Sequence, residues 1–457
     1  MFRKTNHIHF VGIGGIGMSG MAELLHKLQF SISGSDLNIS ERTNHLNKLN
    51  IEVFKGHKES NVSKADVVVF SSAVDKNNVE LIAAKKLNIP IIRRAEMLSE
   101  LLKLKPISIA ISGTHGKTTS SSMLGSILTA SDLEPTLVIG GIVNKFNTNA
   151  ISGSGKIIVV EADEFDRSFL SLQPTMAVIT NLDLEHLDCY KNLEDLQSAF
   201  SQFANSVPFY GTVAIYIDDT KSSSLISNIR RPIITFGISE DAYIRATNIK
   251  FNDKQSSFDL LINNVIKGNI ILNVPGEHNI KNALAAISIA HDLEIPYKSI
   301  YNGLKQYLGV RRRFEIKWTT KNNIMIVDDY AHHPSEISAT IQAAMNGWKR
   351  RLITIFQPHL YSRTRDFCDD FAKALNNSDI LLITDIFGAR EKPIPGVHSN
   401  KIINRVKELG HQNTTYIKND DDIISIIKNI SKANDIIITM GAGNIWRTGE
   451  KIFKALR

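Results

Sequence analysis

One segment restricts the fold more than any other. An apolar run, Ile107 to Ser112, enters Gly113-Thr114-His115-Gly116-Lys117-Thr118-Thr119 and leaves as a helical repeat through Met123, Leu124 and Ile127. A strand that turns through two glycines into a helix opens a parallel crossover unit, and such a unit needs neighbouring strands to bury it. The turn also carries chemistry. Its backbone N–H groups would cradle phosphates at the helix N-terminus, Lys117 would neutralise the β- and γ-phosphates, and the Thr118 hydroxyl would ligate Mg²⁺. The spacing departs from G-x-x-x-x-G-K-[ST], because Ile111 stands at the first glycine position and Gly113 opens a shorter G-x-x-G-K-T loop. A plain glycine turn beside a surface lysine is the competing reading.

The same alternation of strand, turn and helix starts three times, which places the chain in the α/β class with largely parallel sheets. At about 150 residues per domain, 457 residues correspond to roughly three domains. The first start is His7 to Val11, followed by a helix with Met18, Met21, Ala22 and Leu25 on one face and by strands at Ser31 to Ser35, Val67 to Ser71 and Ile89 to Ile92. Pro106 breaks a helix just before the second start. Segments of period two, Ile244 to Phe251, Ser257 to Ile262 and Asn269 to Val274, read as a small antiparallel sheet set on that second body. After Arg311-Arg312-Arg313 the pattern resumes with strands at Ile324 to Val327, Leu352 to Phe356, Ile380 to Thr384 and Ile436 to Thr439. The predicted domains are therefore 1–105, Rossmann-like; 106–313, of the phosphate-loop ATPase type; and 314–457, Rossmann-like again.

Composition excludes several classes. With 43% hydrophobic and 22% charged residues the chain reads as globular throughout. No run approaches the roughly 18 apolar residues of a membrane span, and Met1 to Phe10 is too polar for a signal peptide, so a cytoplasmic protein without membrane contact is expected. Cys189 and Cys368 are too few and too far apart for a disulfide framework or zinc cluster. The 53 Lys and Arg against 46 Asp and Glu give a net charge of +7, spread along the chain without interleaved aromatics, so no nucleic-acid partner is expected.

Other motifs fall at the ends of predicted strands, where open α/β sheets bind ligands. Gly12-Ile13-Gly14-Gly15-Ile16-Gly17 fits G-x-G-x-x-G, and Asp36 ends the next strand. Gly14, Gly15, Ile16 and Gly17 would receive a diphosphate and Asp36 a ribose; the turn alone suits NAD, a nucleotide-sugar, or simple helix packing. Glu161 ends the apolar run Ile157 to Val160, where an acid can hold Mg²⁺ beside a nucleotide. His186 follows the run Met176 to Thr180. Asn279 and Asn282 share a helix face and offer amides suited to adenine, with helix capping as the alternative for Asn279. Asp328-Asp329-Tyr330-Ala331-His332-His333 and the arginines of His359 to Arg365 end two further strands, the arginines suiting a carboxylate or phosphate.

In this order, Gly12 to Gly20 (GIGGIGMSG), Ser71 to Val74 (SSAV), Arg93 to Leu98 (RRAEML), Gly113 to Thr119 (GTHGKTT), Glu161 to Glu164 (EADE), His278 to Ala283, Arg312 to Glu315 (RRFE), Asp328 to Pro334 (DDYAHHP) and Gly441 to Asn444 (GAGN) resemble the Mur ligases, ATP-dependent amide-forming enzymes of peptidoglycan precursor synthesis. The resemblance covers essentially the whole chain. It implies three domains binding a UDP-sugar, ATP and an amino acid, so the first glycine turn takes UDP and not a nicotinamide. The opening GIGGIGMSG is similar to members that join L-alanine to UDP-N-acetylmuramate, and it argues against members that attach a whole tripeptide to the same sugar. The resemblance implies that Lys117 stabilises the transferring phosphoryl group, that Thr118 and Glu161 hold one Mg²⁺, and that His186 holds a second. It further implies that Asn279 and Asn282 hold adenine, Asp329 the ribose, Arg313 a phosphate, Ser71 the UDP-sugar, and His332 with Arg363 the alanine. Leu360 stands where the family often has Arg, which removes one expected carboxylate contact. A monomer or weak homodimer is expected.

Overall fold

The computed structural model describes residues 5–183, 189–389 and 391–457. Each of the three starts builds its own sheet. The first contains β1 (His7–Val11), β2 (Ser31–Asp36), β3 (Glu52–Lys55), β4 (Val67–Phe70) and β5 (Ile91–Arg93), in the order β3-β2-β1-β4-β5 with every pair parallel. The order reverses at β1, and the first glycine turn leaves its C-terminal end, the position at which doubly wound sheets open a ligand crevice.

The second sheet contains β6 (Ile107–Ser112), β7 (Thr136–Val143), β8 (Thr148–Ile151), β9 (Ile157–Glu161), β10 (Met176–Ile179), β11 (Thr212–Tyr216), β12 (Ile233–Gly237), β13 (Ile244–Asn252), β14 (Gln255–Ile262) and β15 (Val265–Leu272). Its order is β15-β14-β13-β12-β11-β10-β6-β9-β7-β8. Strand β6 lies between β9 and β10, so the phosphate loop leaves the sheet flanked by the ends of both neighbours. The apolar composition of β6, β9 and β10 follows from burial on both faces of a parallel sheet.

The period-two segments form strands, but not a separate small sheet. Phe236 and Gly237 at the end of β12 pair in parallel with Ile244 and Arg245, so the meander continues the main sheet. Two-residue connections at Asp253-Lys254 and Asn263-Asn264 join β13 to β14 and β14 to β15. Asp253, Asn263 and Asn264 have positive φ, as tight hairpins demand, and such short links join only antiparallel strands. The last strand begins at Val265, four residues before its apolar half suggested.

The third sheet contains β16 (Glu315–Thr319), β17 (Met325–Asp329), β18 (Leu352–Phe356), β19 (Ile380–Ile383), β20 (Thr414–Tyr416) and β21 (Ile436–Met440), in the order β16-β17-β21-β18-β19-β20. All pairs are parallel except β16 with β17. Val327, Phe356 and Ile438 pack on one side of this sheet, and Ile326, Ile355 and Ile437 on the other. The chain forms two compact units, one of residues 1–247, 259–270 and 281–307 and one of residues 248–258, 271–280 and 308–457. No helix among the described residues is long and apolar enough to cross a membrane.

Candidate functional site

In the first unit the phosphate loop is laced to the end of β10. The Thr114 N–H donates to the Asn181 carbonyl (3.2 Å), the His115 N–H to Asn181 Oδ1 (2.9 Å), and Thr180 Oγ1 to the His115 carbonyl (2.6 Å). Thr114 Oγ1 takes the Asp183 N–H at 2.8 Å. Gly116 has φ +86°, and a Cβ added there would lie 2.2 Å from Asn282 Oδ1. A side chain is thus excluded by conformation and by space. Gly113, at φ +129°, is blocked in the same way by Thr180.

Three of the residues expected to meet ATP and Mg²⁺, Lys117, Thr118 and Glu161, lie at this loop. Thr118 Oγ1 donates to Glu161 Oε2 at 3.1 Å, while Glu161 Oε1 accepts the Gly140 N–H at 2.6 Å. A hydroxyl and a carboxylate side by side form the hard-oxygen pair that Mg²⁺ takes. Lys117 Nζ folds back on its own loop, donating to the carbonyls of Gly113 (2.6 Å) and Thr114 (3.2 Å) and to Glu164 Oε2 (2.7 Å). Burial pushes the Glu164 carboxyl up to about 7 against the pull of the Lys117 charge. Glu164 lies in the EADE motif, yet on sequence grounds it received no role. Thr119 is buried in the first turn of the helix Lys117–Ala130. His186 lies outside the described residues.

Asn282 is buried against the loop, its Oδ1 accepting from Ser120 Oγ at 3.3 Å. Asn279, buried as well, donates from Nδ2 to the Pro275 carbonyl at 2.7 Å.

At the first glycine turn the amides of Gly12 and Ile13 both donate to the Ser35 carbonyl, at 2.8 and 3.0 Å. The Gly14 N–H donates to Asp36 Oδ2 at 2.9 Å. Asp36, expected on a ribose, here shapes the turn. Gly15 precedes the helix Ile16–Lys27, the Ile16 carbonyl accepts from Asn149 Nδ2 at 2.7 Å, and Gly17 faces the Arg94 guanidinium. Ser71 sits beside Gly12, its hydroxyl accepting the Ala73 N–H at 3.3 Å.

In the second unit, Arg313 Nη1 contacts Glu336 Oε1 at 3.0 Å. Burial opposes the Arg313 charge, but Glu336 and Asp329 more than restore it and raise its pKa. Asp329, expected on the ribose, also shapes the chain around it. It is buried, its Oδ1 accepts the Ala331 N–H (2.7 Å), and its Oδ2 accepts the Phe314 N–H (2.7 Å) and Thr340 Oγ1 (3.1 Å). Both oxygens therefore fold the chain after β17, and burial pushes this carboxyl up to about 6. His332 Nδ1 lies 2.9 Å from the Tyr330 carbonyl and 3.1 Å from Glu336 Oε2. Its ring meets the edge of His359, whose Nδ1 lies 3.3 Å from Arg363 Nη1. His332 and Arg363 are thus joined through a histidine given no role of its own on sequence grounds. Leu360 adopts φ +69°, its N–H donating to the Phe387 carbonyl at 3.0 Å.

Three family models match in sequence order: the Mur ligase family catalytic domain over residues 7–106, the Mur ligase middle domain over 111–290, and the Mur ligase glutamate ligase domain over 312–443. A UDP-N-acetylmuramate–L-alanine ligase of Geotalea uraniireducens is 46% identical over 457 residues, spanning 100% of this chain and 99% of that protein. The chain belongs to the Mur ligase family. Among solved structures, the UDP-N-acetylmuramate–alanine ligase of Thermotoga maritima superposes with a TM-score of 0.85 at 29% identity, covering 98% of both chains. A murein peptide ligase of Psychrobacter arcticus has the same fold, with a TM-score of 0.72 at 24% identity and 98% of both chains covered. The three-domain α/β architecture read from the sequence is the Mur ligase fold.

Proposed function

We propose that this Mur ligase joins L-alanine to the lactyl carboxylate of UDP-N-acetylmuramate, converting ATP to ADP and phosphate, in cytoplasmic synthesis of peptidoglycan precursors. The observation that carries this reading is the 46% identity, over the full length of the chain, to an alanine-adding relative. The phosphate loop supports it chemically. A carboxylate does not lose oxygen to an amine unaided, so the oxygen is first phosphorylated; the acyl phosphate is then attacked by the alanine amine, and phosphate leaves.

In this reaction Lys117 moves from its loop carbonyls and Glu164 to the transferring phosphoryl group, where its charge offsets the charge developing in the transition state. The loop amides hold the phosphates of ATP. Thr118 and Glu161 would hold Mg²⁺, which offsets repulsion between the substrate carboxylate and ATP, and His186 is assigned to a second ion. Asn279 and Asn282 are assigned to the adenine side, the first glycine turn with Ser71 to the UDP-sugar, Arg313 to a phosphate, and His332 with Arg363 to the alanine carboxylate. We assign the three binding tasks to residues 1–105, 106–313 and 314–457.

The test is phosphate release from ATP and Mg²⁺ with UDP-N-acetylmuramate, comparing L-alanine, glycine, L-serine and the tripeptide, with mass spectrometry of the product. Release that depends on both the UDP-sugar and L-alanine, with a product one alanyl unit heavier, is expected. A requirement for the tripeptide, or no coupled release with any acceptor, would overturn the assignment.

A further inference from the structure

Glu80 lies in the helix Val79–Lys86 of the first domain and is fully buried. Asn78 caps that helix by accepting the Glu80 N–H at 2.9 Å, which fixes where the carboxylate starts. The carboxylate then gathers three separate pieces of chain. Its Oε2 accepts from Ser35 Oγ on β2 (2.5 Å), lies 3.1 Å from Nδ1 of His57 after β3, and lies 3.8 Å from Nε2 of His9 on β1. Its Oε1 accepts from Asn61 Nδ2 and from the Lys58 N–H at 3.4 Å.

Taking a carboxylate out of water costs several kcal/mol, and an apolar side chain would fill the same space without that cost. What the carboxylate adds is a directed hold on Ser35. The Ser35 carbonyl accepts both the Gly12 and Ile13 amides, and the next residue, Asp36, accepts the Gly14 amide. Three consecutive amides of the glycine turn are therefore fixed by residues 35 and 36, and the side chain of residue 35 is held by Glu80 together with His57, whose Nδ1 lies 3.0 Å from Ser35 Oγ.

We infer that Glu80 is a positioning residue for the UDP-sugar: through Ser35 it sets the conformation of the glycine turn, and with it the affinity for the diphosphate. This rests on the assignment of that turn to UDP made above. Glu80 touches no substrate, so its loss falls on UDP-sugar binding and spares the phosphoryl-transfer step carried by the second sheet. Burial works against its charge, but the nearby His9 ring and hydrogen bonds from Ser35 and Asn61 hold its pKa down to about 2, so the carboxylate stays ionised near neutral pH.

The experiment uses the full chain and its Glu80→Gln, Ser35→Ala and doubly substituted variants. Calorimetry with UDP-N-acetylmuramate measures binding, and steady-state kinetics separate KM from kcat. Glu80→Gln is expected to weaken UDP-sugar binding and raise its KM about tenfold, the scale of one charged hydrogen bond, with kcat and the KM for ATP unchanged. Ser35→Ala, a smaller perturbation to folding, should show the same selective change, and the double variant should be little worse than either single one. UDP-sugar affinity unchanged in Glu80→Gln while thermal stability falls, or additive effects in the double variant, would overturn the inference. If the unaltered chain binds no UDP-sugar, the functional reading itself fails and takes this inference with it.

Discussion

Replacing Gly116 by alanine tests the geometry of the phosphate loop. An L-residue held at φ +86° incurs roughly 1–2 kcal/mol of backbone strain. The new Cβ would also meet Asn282 Oδ1 at 2.2 Å, so that oxygen must withdraw to at least about 3.0 Å and give up the Ser120 hydroxyl. Losing that bond costs about 1 kcal/mol more. Gly116→Ala should therefore destabilise the chain by about 2–3 kcal/mol. In an Asn282→Ala background the obstacle is gone, and the same substitution should cost only the backbone share of about 1–2 kcal/mol. Equilibrium urea unfolding of the four proteins measures both penalties. Equal penalties in the two backgrounds would show that Asn282 does not limit the turn, and no penalty in either would refute the left-handed conformation of Gly116.

Three further outcomes follow from the same site. Lys117→Ala should abolish turnover while calorimetry shows UDP-sugar binding intact; near-normal phosphate release would remove Lys117 from the reaction. Because burial raises the Glu164 carboxyl to about 7 from 4.5, the folded chain holds a proton there that the unfolded chain releases, so this group's contribution to stability is full below about pH 4.5 and lost as pH rises through 7. Glu164→Gln should flatten that part of the stability profile in denaturant titrations between pH 4.5 and 7.5, and an unchanged slope would contradict it. Arg363→Ala and His359→Ala should each raise the KM for L-alanine about tenfold or more with little change in the KM for ATP, as expected when a charged hydrogen bond to a carboxylate is lost or misplaced. Equal changes in both constants would detach this pair from the amino acid.

What the sequence made legible is what is written locally. The turn at Gly113 to Thr119 and the strand ending in Glu161 are contiguous motifs, and their meeting followed from two adjacent parallel strands. Glu164, Glu336, His359 and Glu80 were harder because their significance depends on partners far along the chain. Lys117 meets Glu164 from 47 residues away, and Ser35 meets Glu80 from 45. On a sequence each is one more acid or histidine near a helix start, and nothing in the period of the apolar residues shows which partner it meets. The structural part of Asp329 was hidden for a related reason. An acid at a strand tip can fold the next turn, and only the positions of Phe314, Ala331 and Thr340 reveal that this one does. The meander was legible as strands but not as a continuation of the main sheet, since the pairing of β12 with β13 rests on two residues at each side.

The continuation of that sheet leaves β15 at its margin, and a margin is a place where a second chain can add itself. Val265 and Ile266 stand exposed at the start of this strand, a pair that would favour stacking between molecules. Lys267 follows them directly and is exposed too. In register with a neighbouring copy it would bring like charges together, which opposes such an addition. Its replacement by an apolar residue should raise the tendency to associate as the protein is concentrated, which light scattering would measure.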